Sequence, residues 1–64
     1  GIVSDNSMSN AIIVNNHLMG NKTAGIDLAN GFHYCGDNII GDSPSVINTT
    51  NSTMGTGDHA NIIF

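Results

Sequence analysis

Three carboxylates and three ring-bearing polar side chains carry most of the chemistry that this 64-residue chain offers. Asp27 stands between Ile26 and Leu28 in GIDLAN, so on a strand it faces away from them. Asp37 and Asp58 end two polar excursions, residues 31–37 and 49–60. If those excursions stack, the two carboxylates approach each other. Polysaccharide hydrolases use such a pair, and its separation sets the stereochemical outcome. Asp27, Asp37 and Asp58 are therefore the candidate catalytic residues. His33, Tyr34 and His59 are the candidate substrate-binding residues. Both histidines lie in the same excursions, near Asp37 and Asp58, and a His–Asp pair serves acid–base work or a metal. Tyr34 and Phe32 offer ring faces on which a sugar can stack, and Tyr34 adds a hydroxyl.

Each residue also has a plainer explanation. Asp in Gly-Asp and turn contexts caps the backbone. No H-x-H or H-x-x-x-H spacing occurs, so the histidines read as solvated loop residues and no metal or cofactor is expected. His17 has no acidic neighbour and reads as inert. Cys35 lacks a basic neighbour to lower its pKa, so it reads as a small buried residue rather than a nucleophile. As the only cysteine it forms no intramolecular disulfide. Phe32 and Tyr34 can equally cap an apolar interior. The MGTGDH segment, residues 54–59, has G-x-G without a third glycine or a following helix, and is a loop rather than a nucleotide site. Three N-x-S/T triplets, at Asn21, Asn48 and Asn51, are what chance gives in so Asn-rich a chain.

What positions these residues follows from composition. Glu, Gln, Arg and Trp are absent, while ten Asn, nine Ile and eight Gly residues are present. Helix formers are nearly missing, Ile favours strands, and Asn and Gly mark turns, so the class is all-β. The net charge of −4, with Lys22 the only basic side chain besides histidine, disfavours nucleic acid and anionic membrane surfaces. No apolar run reaches the ~18 residues of a membrane span. A chain this short buries only about 60% of its unfolded surface and needs outside support. It opens on Gly1 without a leader-like segment and stops in an apolar run at Phe64, so it reads as a fragment or as one subunit of an oligomer.

One order of residues recurs three times: an apolar entry, an Asn, a polar excursion and a second apolar run. It divides the chain into coils of about 1–24, 25–45 and 46–64. Ile2, Ile26 and Val46 fall in one column. Ile12, Ile39 and Ile62 fall in a second, followed by Ile13, Ile40 and Ile63. Asn6 and Asn30 share a column that offers an amide ladder. Residues 17–19 suit a third short strand. A repeat of about 20–29 residues marks a solenoid. Leucine-rich repeats are set aside because Leu occurs only at Leu18 and Leu28. Short strands separated by Asn, Gly and Asp turns fit a parallel β-helix.

The GIDLAN string, the N-I-I steps at 38–40 and 61–63, and the N-x-L-x-G-N string at 16–21 carry a resemblance. The chain resembles the right-handed parallel β-helix of the pectate-lyase-like superfamily, which includes phage tailspikes and polysaccharide depolymerases. The resemblance implies a solenoid of about three coils, with a bacterial polysaccharide as partner and a virion or cell-surface location. It implies hydrolase or lyase activity only within a larger protein. It also implies a homotrimer, or the remainder of a larger chain, to shield so few coils. The competing expectation is a purely structural spike or trimerisation segment without a catalytic site.

Overall fold

The computed structural model describes residues 1–4 and 9–64. Among the described residues the chain forms nine short strands: β1 (Ile2–Ser4), β2 (Ile12–Val14), β3 (His17–Leu18), β4 (Ile26–Leu28), β5 (Tyr34–Gly36), β6 (Ile39–Ile40), β7 (Val46–Asn48), β8 (Thr53–Met54) and β9 (Ile62–Ile63). One 3₁₀ turn, Gly57–His59, precedes β9. Every pairing is parallel. β1-β4-β7 make the first sheet, β2-β5-β8 the second and β3-β6-β9 the third, and none of the three closes on itself. The chain thus visits three sheets in turn, three times over. Parallel neighbours require a crossover, and here each crossover is the rest of a pass through the other two sheets. The class is all-β, as the composition predicts.

Side chains alternate along a strand, so strands of two or three residues send only one or two inward. The first sheet contributes Ile2, Ile26, Leu28 and Val46 to the interior. The second contributes Ile13, Cys35 and Met54, and the third Leu18 and Ile40. Ile26, Leu28, Cys35 and Ile40 are all 0% exposed, and all belong to the middle pass, which has a neighbour on either side. Ile63, in the same column as Ile40, is 51% exposed because no described pass lies beyond it.

The register confirms one predicted column and corrects another. Ile2, Ile26 and Val46 do align, as do Ile39 with Ile62 and Ile40 with Ile63. The predicted third strand at residues 17–19 appears as His17–Leu18. Ile12, however, pairs with Tyr34 and so with Thr53, not with Ile39. His17 occupies the place assigned to Ile12. The stretches read as excursions therefore contain strands: β5 lies within 31–37, and β8 within 49–60.

Where the chain turns between sheets, side chains add acceptors to the backbone bonds between passes. Between the first and second sheets, Ala11 N donates to His33 Nδ1 at 2.9 Å, and His33 N donates to Ser52 Oγ at 2.9 Å. Between the second and third, Asn16 N and Nδ2 both donate to Asn38 Oδ1 at 3.0 Å. Asn38 repeats the pattern, giving its N (3.2 Å) and Nδ2 (2.9 Å) to Asn61 Oδ1. After the third sheet, Asn21 N and Nδ2 donate to the two Asp42 oxygens at 2.8 and 2.7 Å. Each corner thus carries an acceptor on one pass for a backbone N–H on the pass before. Among the described residues no buried side-chain nitrogen or oxygen lacks a partner.

The ladder expected in the column of Asn6 and Asn30 involves Asn6, which lies outside the described residues; among the described residues an asparagine ladder runs through Asn16, Asn38 and Asn61. Asn15 and Asp37, each the first residue of the two-residue link before a ladder asparagine, have φ of 60° and 56°. Asn and Asp tolerate that left-handed conformation better than other non-glycine residues.

The Asp42 corner carries a pH dependence. Asp42 is 7% exposed, shielded by its neighbours at the surface of the fold. The Asn21 side-chain amide, then the Asn21 backbone N–H, hold its carboxyl below the usual carboxylate range. A carboxylate depressed in the folded state stabilises it fully above the unfolded value, ~3.9, and loses that contribution as pH falls through the folded value. Urea midpoints measured from pH 7 downward are expected to hold level and then fall below about pH 4. In Asp42→Asn that acid-limb loss is expected to shrink; an unchanged acid limb would remove Asp42 as its source.

Candidate functional site

The second sheet brings most of the predicted site residues together. The outward position at the start of its strands holds Ile12, Tyr34 and Thr53 in register. Ile12 is 75% exposed, and Phe32, just before β5, is 73% exposed. With Asn10 these side chains line a depression of about 340 Å³. Phe32 is thus a surface residue, not a cap over the interior. The depression is wide open to solvent, with the exposed Phe32 ring and Ile12 as its apolar surface.

Tyr34 is directed along its strand toward Gly36. A β-carbon at Gly36 would lie 2.6 Å from the Tyr34 hydroxyl and 2.8 Å from the His59 carbonyl oxygen. Only glycine fits there, and its lack of a side chain lets the ring lie down. The next residue, Asp37, pairs with His59: Nδ1 stands 3.1 Å from Oδ2 and 3.3 Å from Oδ1. His59 reaches Asp37 because Asp37 N donates to the His59 carbonyl at 2.9 Å, tying the two corner links together. The pair is open to solvent, with side chains 69% and 35% exposed. Such a pair contributes only ~0–1 kcal/mol to stability. Half-buried Tyr34 and Asp37 and exposed His59 therefore form one group at the end of the second sheet. Asp58 is exposed beside His59 in the 3₁₀ turn.

Two predicted site residues stand elsewhere. Asp27 lies on the first sheet, between Val3 and Ile47, and lines a separate depression of about 270 Å³ with Lys22, Asn21 and Thr23. Its carboxylate belongs to a different sheet from those of Asp37 and Asp58. His33 is 2% exposed rather than solvated. Its Nδ1 accepts from Ala11 N, which places the ring hydrogen on Nε2, directed at the Asn30 carbonyl. With both nitrogens engaged, His33 holds the first corner and positions Phe32 and Tyr34 on either side of itself. The sequence offers His33 as a solvated substrate-binding residue; the structure buries its ring and engages both nitrogens with backbone groups.

Cys35 is 0% exposed. Burial pushes its thiol up, against the opposing hydrogen bonds that it donates to Asn61 Oδ1 and accepts from Asn38 Nδ2. A thiol so placed is not a nucleophile, in line with the sequence reading. Among the described residues no group of three His, Cys or Asp side chains is placed to hold a metal ion, and no helix is long and apolar enough to cross a membrane.

The sequence signal for the ladder residues is an Asn directly before each third-sheet strand, at Asn16, Asn38 and Asn61. Ile12 and Thr53 carry no such mark; only the register reveals that they flank Tyr34. Comparison with family models, with curated proteins and with solved structures gives no match to this chain.

Proposed function

We propose that the chain winds its three sheets as a right-handed parallel β-helix and forms a saccharide-binding part of a phage tailspike or similar surface protein. The observation that carries this reading is the outer face of the second sheet. There the exposed Phe32 ring and the half-buried Tyr34 line an open depression with Ile12, and the Tyr34 hydroxyl lies over Gly36, the residue before the Asp37–His59 pair. Sugars present apolar C–H faces and a rim of hydroxyls. Aromatic faces suit the first, and carboxylate, imidazole and amide groups suit the second. Cleavage, in the setting of a larger protein or a homotrimer, would draw on Asp37 and Asp58, which share a corner. Asp27 is too differently placed to join them.

The competing reading is a structural spike segment without a site. It is favoured by one observation: Asp37 repeats the left-handed position of Asn15, so the turn alone accounts for its residue type.

Tyr34→Ala and Asp37→Asn separate the two readings. On immobilised bacterial surface polysaccharides, Tyr34→Ala is expected to weaken retention about tenfold, from lost ring contact. Asp37→Asn is expected to weaken it less and to leave the far-UV circular dichroism spectrum unchanged. Retention equal to the parent chain in both variants, with folding intact, would leave the structural reading standing.

A further inference from the structure

The cleft on the second sheet carries more information than that a sugar fits it. We infer that it is a subsite for a neutral stretch of glycan about two sugar residues long, lying across the strands, and that it rejects uronate- or sialate-bearing chains. This rests on the saccharide-binding reading above.

The length follows from the register. Ile12, Tyr34 and Thr53 occupy three adjacent strands, so the column spans two strand spacings, ~10 Å. That is the reach of a disaccharide. The apolar floor, Ile12 with the Phe32 and Tyr34 rings, occupies the first and second passes. The polar side chains Asn10 and Thr53 stand toward its two ends, on the first and third passes. A disaccharide lying across the strands sets its C–H faces on the floor and its hydroxyls at Asn10 and Thr53.

The charge preference follows from what surrounds the cleft. Among the described residues its lining holds no Lys or Arg, and both ring nitrogens of the buried His33 are engaged by backbone groups. Among the described residues, the acidic groups at the end of the same sheet are Asp37, beside His59, and the exposed Asp58. Lys22 lines the other depression, with Asp27. The whole chain has a net charge of −4. A glycan carboxylate in the cleft would find no cation to meet it and would approach a field of its own sign. Neutral sugars incur no such penalty.

The test is nuclear magnetic resonance titration of the isotope-labelled chain. The probes are neutral oligosaccharides of hexose and N-acetylhexosamine, two to four residues long, and oligogalacturonate and oligosialate of the same lengths. The expected result is that one or more neutral probes shift the amide signals of Tyr34, Gly36 and Thr53. The affinity should change less than twofold between low and physiological salt and gain little beyond two residues. The same probe should bind Tyr34→Ala at least about tenfold more weakly, while Lys22→Ala binds it unchanged. Binding of the acidic probes as tight as the neutral ones, or an affinity that falls steeply with salt, would overturn the inference while leaving saccharide binding intact. Shifts confined to Lys22 and Asp27 would overturn the location. Silence from every probe in both sets would overturn the saccharide-binding reading itself, and the inference with it.

Discussion

Asn38→Ala is expected to unfold most of the population under conditions where the parent chain is folded. Asn38 is 0% exposed and is the middle member of the asparagine ladder. Truncation leaves Asn16 N without its acceptor and the Ile13 carbonyl without the Asn38 donor. Each buried group left unpaired costs about 1–3 kcal/mol. A chain of this length has roughly 3–10 kcal/mol of stability at ordinary per-residue values. Two such losses consume most of it. Asn16→Ala is the internal control. Asn16 only donates in the ladder, and its removal is expected to cost about 1 kcal/mol. Urea unfolding followed by far-UV circular dichroism measures both. Equal midpoints for the two variants would show that the ladder contributes no more at its centre than at its end.

Ile40→Asp is expected to abolish folding, whereas Ile39→Asp is tolerated. The two residues are adjacent in β6, and alternation points them to opposite faces. Ile40 is 0% exposed and touches the core, while Ile39 faces outward between His17 and Ile62. A carboxylate forced into the interior without a partner costs several kcal/mol, more than the chain can absorb. On the outer face the change stays within about 1 kcal/mol, the span of strand preferences. Thermal melts of both variants decide it. A stable Ile40→Asp beside an unfolded Ile39→Asp would mean that the third sheet is displaced by one residue, which reverses its faces.

The threefold order of the chain was legible because isoleucine in the first and third sheets is dense enough to see. The Ile2–Ile26–Val46 and Ile40–Ile63 columns follow from it. The second sheet was not legible, for a physical reason. Its strands read Ile-Ile-Val, Tyr-Cys-Gly and Thr-Met, and each needs only one inward residue: Ile13, Cys35 or Met54. With one buried side chain per strand, hydrophobic periodicity has nothing to accumulate over. Ile12 was therefore drawn into the third-sheet column by its residue type, although Tyr34 is its partner.

The candidate site was half legible. FHYC and the segment around His59 were visible as the distinctive parts of their passes. That His33 turns inward while Tyr34 turns outward depends on where β5 begins, which the residue types do not mark. Asp27 was grouped with Asp37 and Asp58 by chemistry alone, and the first sheet holds it apart from them.

The ladder has a consequence for how this chain can vary. Two residues link β2 to β3 and two link β5 to β6, but seven, residues 55–61, link β8 to β9. Despite the longer link, Asn61 accepts from Asn38 and donates to the Cys35 carbonyl at 3.1 Å, as Asn38 accepts from Asn16 and donates to the Ile13 carbonyl. The strand after the link is aligned by the Asn61 side chain together with the backbone bonds from Ile62 N to the Asn38 carbonyl and from Phe64 N to the Ile40 carbonyl. The longer link is itself held at two points, Gly55 N on the Cys35 carbonyl and the His59 carbonyl on Asp37 N. Variation confined to the exposed residues 56–58 leaves those two ties and the Asn61 ladder in place.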